Sequence, residues 1–261
     1  MTIKSFIQKL ISLYPINCAE IWDPTGYSVK SQQHKKLKGV IFAIDLTNDV
    51  LEYAINNDCN LIVTHHPFIF NKTYESEFSN APYKKAVYQS LKKMQITAFS
   101  IHTNYDAAKY GTSYQILKYL KLNNTLFDKD SPKHCAIFEN KNTFINLINA
   151  FDEVFKFKNA IRTNFEVDDK HIFQKIAILA GSGSIEQINE LHKTQNINLF
   201  ITSDIKWNEL LNYQELNIKI LEIPHLVEQV FSWAICEELK KIYPNEKLYI
   251  KNIELPFSNL K

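Results

Sequence analysis

The stretch "LIVTHHPFIF" spans residues 61–70 and sets two adjacent histidines and a proline directly behind four apolar or β-branched residues. A short apolar run of this kind reads as a strand buried on both faces, as in a parallel sheet. Pro67 stops the strand. The strand then delivers His65 and His66 to one point, as a site needing two nitrogen ligands would require.

The pattern repeats on either side. "GVIFAI" (39–44) and "ITAFSIH" (96–102) read as further strands. Between the three strands lie "TNDVLEYAINN" (47–57) and "APYKKAVYQSLKKM" (81–94), read as helices. In the first, Thr47 or Asn48 is the cap, and Val50, Leu51, Ala54 and Ile55 form the buried stripe. "TSYQILKYLKL" (112–122) reads as a helix. Residues 123–170 are less regular: 122–134 reads as a turn-rich crossing and 142–155 as a helix. The alternation restarts with strands over 175–181, 198–204 and 218–225. Helices lie over 184–195 and 206–216, and a closing helix over 228–243. Alternating strands and helices predict an α/β fold with helix-covered, largely parallel or mixed sheets. The two halves share the order strand, polar loop, helix, then "N-L-(I/F)-(V/I)-T", so two similar lobes are expected. The boundaries read as 1–122 for the first lobe, 123–170 for a connecting region and 171–261 for the second, the lobes together forming one metal-binding domain.

Bulk properties narrow the function. Thirty Lys+Arg against 28 Asp+Glu leave a net charge of +2, and Arg162 is the sole arginine. A nucleic-acid reader normally spends planar arginine forks on bases and phosphates, so that class is disfavoured. Cys18, Cys59, Cys135 and Cys236 form no C-x-x-C pair and read as free thiols of a reducing cytoplasm. No run approaches the ~18 apolar residues of a membrane span. The N-terminal segment has helical periodicity at Ile3, Phe6, Ile7, Leu10 and Ile11, interrupted by Lys4, Gln8 and Lys9, so it reads as an amphipathic surface helix rather than a signal peptide.

In open parallel sheets, ligands bind outside the carboxyl ends of the strands. At those ends stand Asp45; His65 and His66; His102 and Asp106; Gly181-Ser182-Gly183-Ser184; Asp204; and His225 with Glu228. Each has an ordinary alternative. "HTNYD" could be a capped loop, Glu228 a favourable charge at a helix start, and "GSGS" a tight turn. Taken together, three histidines and two carboxylates suit two metals better than one, and imidazole with carboxylate suits zinc, iron or manganese.

These motifs resemble those of the NIF-three-like dinuclear metal-centre family, whose members carry the name GTP cyclohydrolase I type 2 homologue. "WDPTG" (22–26) is similar to the family's W-D-N-x-G, and "FAIDLTNDVLEYA" (42–54) to its strand, Asp-x-Thr and helix. "THHP" (64–67) and "HTNYD" (102–106) match directly. "AGSGS", "TSDIKWN" and "PHLVE" are looser matches, the last two departing at Ser203, Trp207, Asn208 and Pro224.

The resemblance implies that His65, His66, Asp106 and His225 are metal ligands. The family spaces the last His and its Glu four apart; here the gap is three, with Gln229 in the fourth place. Either Glu228 still bridges or the second metal site is weakened. Glu228 is assigned as the ligand, because a neutral amide holds a divalent pair poorly. A metal-dependent hydrolase is the leading reading, in which His102 orients a ligand or transfers a proton, against the alternative of a core histidine satisfied by the backbone; the resemblance further implies two divalent metals per chain and a ring-shaped homohexamer. The substrate it implies is GTP, and another nucleotide or a phosphodiester would use the same metals. A non-enzymatic metal-binding, metal-delivery or scaffold protein would use the same ligands. Longer members carry a domain inserted between the halves, and the short 123–170 region resembles the form without it.

Overall fold

The computed structural model describes residues 1–122, 125, 131–157 and 159–258. Most of the turn-rich crossing expected over 122–134 lies outside the described residues.

The chain opens with α1 (Ile3–Leu13), started by a reciprocal capping box between Thr2 and Ser5. Its buried residues are Ile3, Phe6, Ile7 and Leu10, the expected apolar stripe. Strand β1 (Gly26–Val29) and strand β2 (Val40–Ala43) come next. Helix α2 (Asn48–Asn56) is capped by the Thr47 side chain, which accepts from Val50 N–H. Then come β3 (Leu61–Thr64), α3 (Tyr74–Asn80), α4 (Tyr83–Met94), β4 (Thr97–Ser100) and the single turn α5 (Thr103–Asp106). The next stretch carries α6 (Thr112–Tyr119), β5 (Cys135–Glu139), α7 (Phe144–Phe155) and β6 (Arg162–Thr163). It continues through β7 (Lys175–Leu179), α8 (Ile185–Gln195), β8 (Leu199–Thr202), α9 (Trp207–Glu215) and β9 (Ile220–Glu222). A 3₁₀ turn (His225–Gln229) leads into α10 (Val230–Ile242), and β10 (Leu248–Ile250) closes the described strands.

Two five-stranded mixed sheets result, in the orders β1-β4-β3-β2-β10 and β5-β7-β8-β9-β6. Each has three parallel strands at its centre, which are the strands read from the apolar runs. The flanks differ. β1 is antiparallel to β4, and β10 is parallel to β2. β5 and β6 are both antiparallel to their neighbours. The chain divides into two compact units, residues 1–108 with 231–253 and residues 109–230 with 254–261. Helix α6 belongs to the second unit. The closing helix returns to the first, where Phe231, Ile235, Cys236 and Leu239 pack with Phe6, Ile7 and Leu10 of α1 in one core.

Strand register sets where the polar residues emerge. Ala43, Thr64 and Ser100 sit opposite one another as the last residues of β2, β3 and β4. All four residues of each of these strands are buried, so the strands stop together where the polar residues begin.

The loop after His66 is fixed by a buried carboxylate. Glu77 Oε2 accepts from Phe70 N–H (2.9 Å), Asn71 N–H (2.7 Å) and the Asn71 amide (2.8 Å), while Lys84 bonds Oε1. Burial opposes a charged Glu77, but the Lys84 ammonium and these donors hold its pKa down at about 2. A lowered carboxyl pKa contributes stability that is complete above its ordinary value of 4.5 and is lost as pH falls through about 2. Glu77→Gln is therefore expected to cost about 1–3 kcal/mol near neutral pH. Denaturant titration should show the gap from the unmodified protein closing between pH 5 and pH 2; a gap of constant size would remove the carboxylate from this role.

Candidate metal centre

In the first unit, the common strand ending places four sequence-predicted residues together. His65 is fully buried against Phe231 and Tyr105, with ring centroids 5.0 and 6.3 Å away. Its Nδ1 lies 3.1 Å from the Ile101 carbonyl, so Nε2 faces Asp106 Oδ1 at 3.5 Å. His66 is partly buried, and its Nδ1 lies 2.9 Å from Asp45 Oδ1. His102 has its Nδ1 3.1 Å from Asp23 Oδ1. Burial opposes a charged Asp23, but the His102 ring and the Thr103 donors hold its carboxyl below the usual range. The three imidazoles are mutual neighbours, with centroids 5.1, 5.2 and 5.4 Å apart. One nitrogen from each lies within 4.8 Å of the others, a grouping that could hold one cation.

In the second unit, His225 and Glu228 share the 3₁₀ turn. Such a turn has three residues per revolution, so side chains at i and i+3 eclipse. The three-residue spacing consequently sets Glu228 Oε2 2.8 Å from His225 Nε2. Glu228 is almost fully buried and lies against Gly181. A Cβ at Gly181 would meet Glu228 Oε1 at 2.4 Å, and the glycine's φ is +66°. Both features demand glycine in the "GSGS" loop and give it a reason other than phosphate binding. His225 Nδ1 lies 2.6 Å from Asp204 Oδ2, and Asp204 itself adopts φ +52°. Burial works against a charged imidazole at His225, yet Glu228 and Asp204 on either side push its pKa up to about 11. Beside this pair lies a cavity of about 600 Å³, lined among others by Asp204, His225, Arg162, Glu222 and Phe257. Arg162 forks onto Glu222 at 2.6 and 3.0 Å, so the sole arginine is engaged within the fold.

One arrangement recurs at all four histidines: an oxygen acceptor stands at Nδ1, a backbone carbonyl for His65 and a carboxylate for the others. Where that contact is a hydrogen bond, at His65, His66 and His225, it orients the ring and turns Nε2 away from the acceptor, as second partners do for metal-binding imidazoles. The donor set therefore fits a divalent cation. Asp45 and Asp204 stand out in sequence as polar residues after strands, but which histidine each meets is set by long-range pairing. Asp23 is marked in sequence only as part of "WDPTG", with nothing to pair it with His102.

Asp45→Ala is expected to weaken the protein's zinc affinity by about 10–100-fold in a chelator competition, with secondary structure retained. Unchanged affinity would separate His66 from metal binding.

Known proteins share both the sequence and the fold. The family model described as Duf34/NIF3 (NGG1p interacting factor 3) matches residues 1–259. A Mycoplasmopsis pulmonis protein named GTP cyclohydrolase 1 type 2 homolog is 37% identical over 248 residues, covering 92% of this chain and 95% of its own. A Staphylococcus aureus hypothetical protein shares the fold at TM-score 0.84 and 21% identity, over 100% of this chain and 99% of that one. A Bacillus cereus protein related to NIF3 does so at TM-score 0.82 and 17% identity, over 100% and 99%.

Proposed function

The chain belongs to the Duf34/NIF3 family, and from that premise we propose that it is a dinuclear metal-dependent hydrolase. The observation that carries the reading is the acceptor oxygen hydrogen-bonded at Nδ1 of His65, His66 and His225, which makes Nε2 the nitrogen that would meet a metal. The ligand set we propose is His65, His66, Asp106, His225 and Glu228. Zinc, iron or manganese suits these nitrogen and oxygen donors. Held by these residues, a pair of such ions would supply Lewis acidity and a water-derived nucleophile near neutral pH.

The chain's own residues then have distinct tasks. Asp45 and Asp204 orient His66 and His225 through Nδ1. Asp23 does the same for His102, whose Nε2 is left to carry a proton to or from the substrate as the catalytic acid–base group. The substrate class we propose is a nucleotide or another phosphate ester, with GTP as the first to try because the curated relatives bear the name GTP cyclohydrolase 1 type 2 homolog. A homohexameric, cytoplasmic protein is part of the same proposal. No helix among the described residues is long and apolar enough to cross a membrane.

A metal-delivery or scaffold role would use the same ligands and make no product. Turnover separates the two. His66→Ala is expected to keep its fold and lose at least ~100-fold in product formation from GTP or a phosphodiester, as befits loss of a metal ligand. A metal-loaded, unmodified protein that turns over neither substrate would favour the delivery or scaffold role. Asp106→Ala should lower both metal content and Tm, since metal bound only by the folded form stabilises it. Full occupancy in that variant would remove Asp106 from the set.

A further inference from the structure

Two large aromatic rings stand exposed beside the histidines of the first unit. Trp22 is 61% and Phe70 48% exposed. Their centroids are 6.0 Å apart, with planes inclined by 42°. Both meet His102 edge-on, Trp22 at 5.9 Å and Phe70 at 6.4 Å. Exposed rings on a protein surface are common and usually need no account. These differ in that hydrogen bonds tie down the loops that carry them.

The turn carrying Trp22 is fastened at three points. Asp23 Oδ2 accepts from Thr103 N–H (3.0 Å) and from the Thr103 hydroxyl (2.5 Å). Glu20 N–H donates to Thr103 Oγ1 at 2.9 Å, and Thr25 Oγ1 donates to the Ser100 carbonyl at 3.1 Å. Phe70 is fastened through its own N–H and that of Asn71 to the buried Glu77. Two buried carboxylates thus anchor the loops that carry two exposed rings, whose burial would have been favourable. Anchoring the backbone beneath exposed rings lowers the ordering that binding on them would cost.

We infer that Trp22 and Phe70 form a stacking platform that holds the planar heteroaromatic ring of a substrate against His102. The inference rests on the hydrolase reading above and specifies its substrate class. The faces of indole and phenyl offer π contact without hydrogen-bond readout, and such stacking accepts any base. The inclined planes let a flat ligand lie on one ring while its edge meets the other. The shared neighbour, His102, then stands at the rim of the bound ring with its Nε2 side available for proton transfer. A second copy of the chain is the other candidate for covering these rings, but it would also close over the three imidazoles that the platform adjoins.

Calorimetric titration of the metal-loaded full chain with GMP, AMP and ribose 5-phosphate tests this. Both nucleotides should bind, and ribose 5-phosphate more weakly. Trp22→Ala should weaken GMP and AMP alike by about 5- to 140-fold and leave ribose 5-phosphate unchanged. Trp22→Phe should retain most of the affinity. Metal content should match the unmodified protein in each variant. If Trp22→Ala fails to fold, Trp22→Phe and Phe70→Leu carry the test through the nucleotide-to-sugar-phosphate affinity ratio, which Phe70→Leu should reduce. No GMP binding to the unmodified protein, equal loss for all three ligands, or no loss for any would overturn the platform. So would a change of oligomeric state at Trp22→Ala with base affinity intact. Base binding without turnover would contradict the hydrolase alone, and turnover indifferent to Trp22 would contradict the platform alone.

Discussion

The site depends on the in-register parallel pairing of β2, β3 and β4. Ala43, Thr64 and Ser100 are opposite neighbours, so Asp45, His65–His66 and His102 leave the sheet at one edge. A slip of one residue in any of these strands would turn its side chains to the opposite face. Here both faces are apolar: Phe42, Val63 and Phe99 pack in one core cluster, and Ile41, Ile62 and Ala98 in another. The core thus fixes the register, and the register in turn decides which polar groups meet.

That dependence explains which elements are legible in the sequence. The central parallel strands are apolar runs ending in polar residues, and buried strands of this kind announce themselves without any knowledge of partners. The flanking strands do not. β5 lies in a stretch that reads as irregular, β6 is two residues long, and β1 and β10 are short edge strands. Their assignment comes from pairing, which local pattern cannot supply. Helix α3 is equally silent, because Tyr74–Asn80 is short and polar apart from its aromatic residues and is organised by the Glu77 network.

The site divides in the same way. Histidines at strand ends are legible, and so is the conflict over Glu228. The structure supplies the physical reason for a three-residue gap: the segment is 3₁₀, where that spacing sets the two side chains together. The acceptors behind the rings are not legible as such. Asp23 meets His102 from a turn far away in sequence, and Asp204 reaches His225 from a left-handed backbone conformation that sequence alone does not announce. The exposed Trp22 and Phe70 belong to this second class. Phe70 is ordinary in sequence and Trp22 is marked only as part of "WDPTG", and each acquires meaning from the buried carboxylate that holds its loop.

Every role proposed for the site turns on nitrogen and oxygen donors arranged for a pair of metals. The most direct test is metal per chain, by mass spectrometry on protein purified without chelators or a nickel step. About two per chain is the predicted result, in keeping with a two-metal site. About one would contradict the paired centre and point to Glu228 as the lost ligand. None after reconstitution with zinc, iron and manganese would contradict the metal centre altogether.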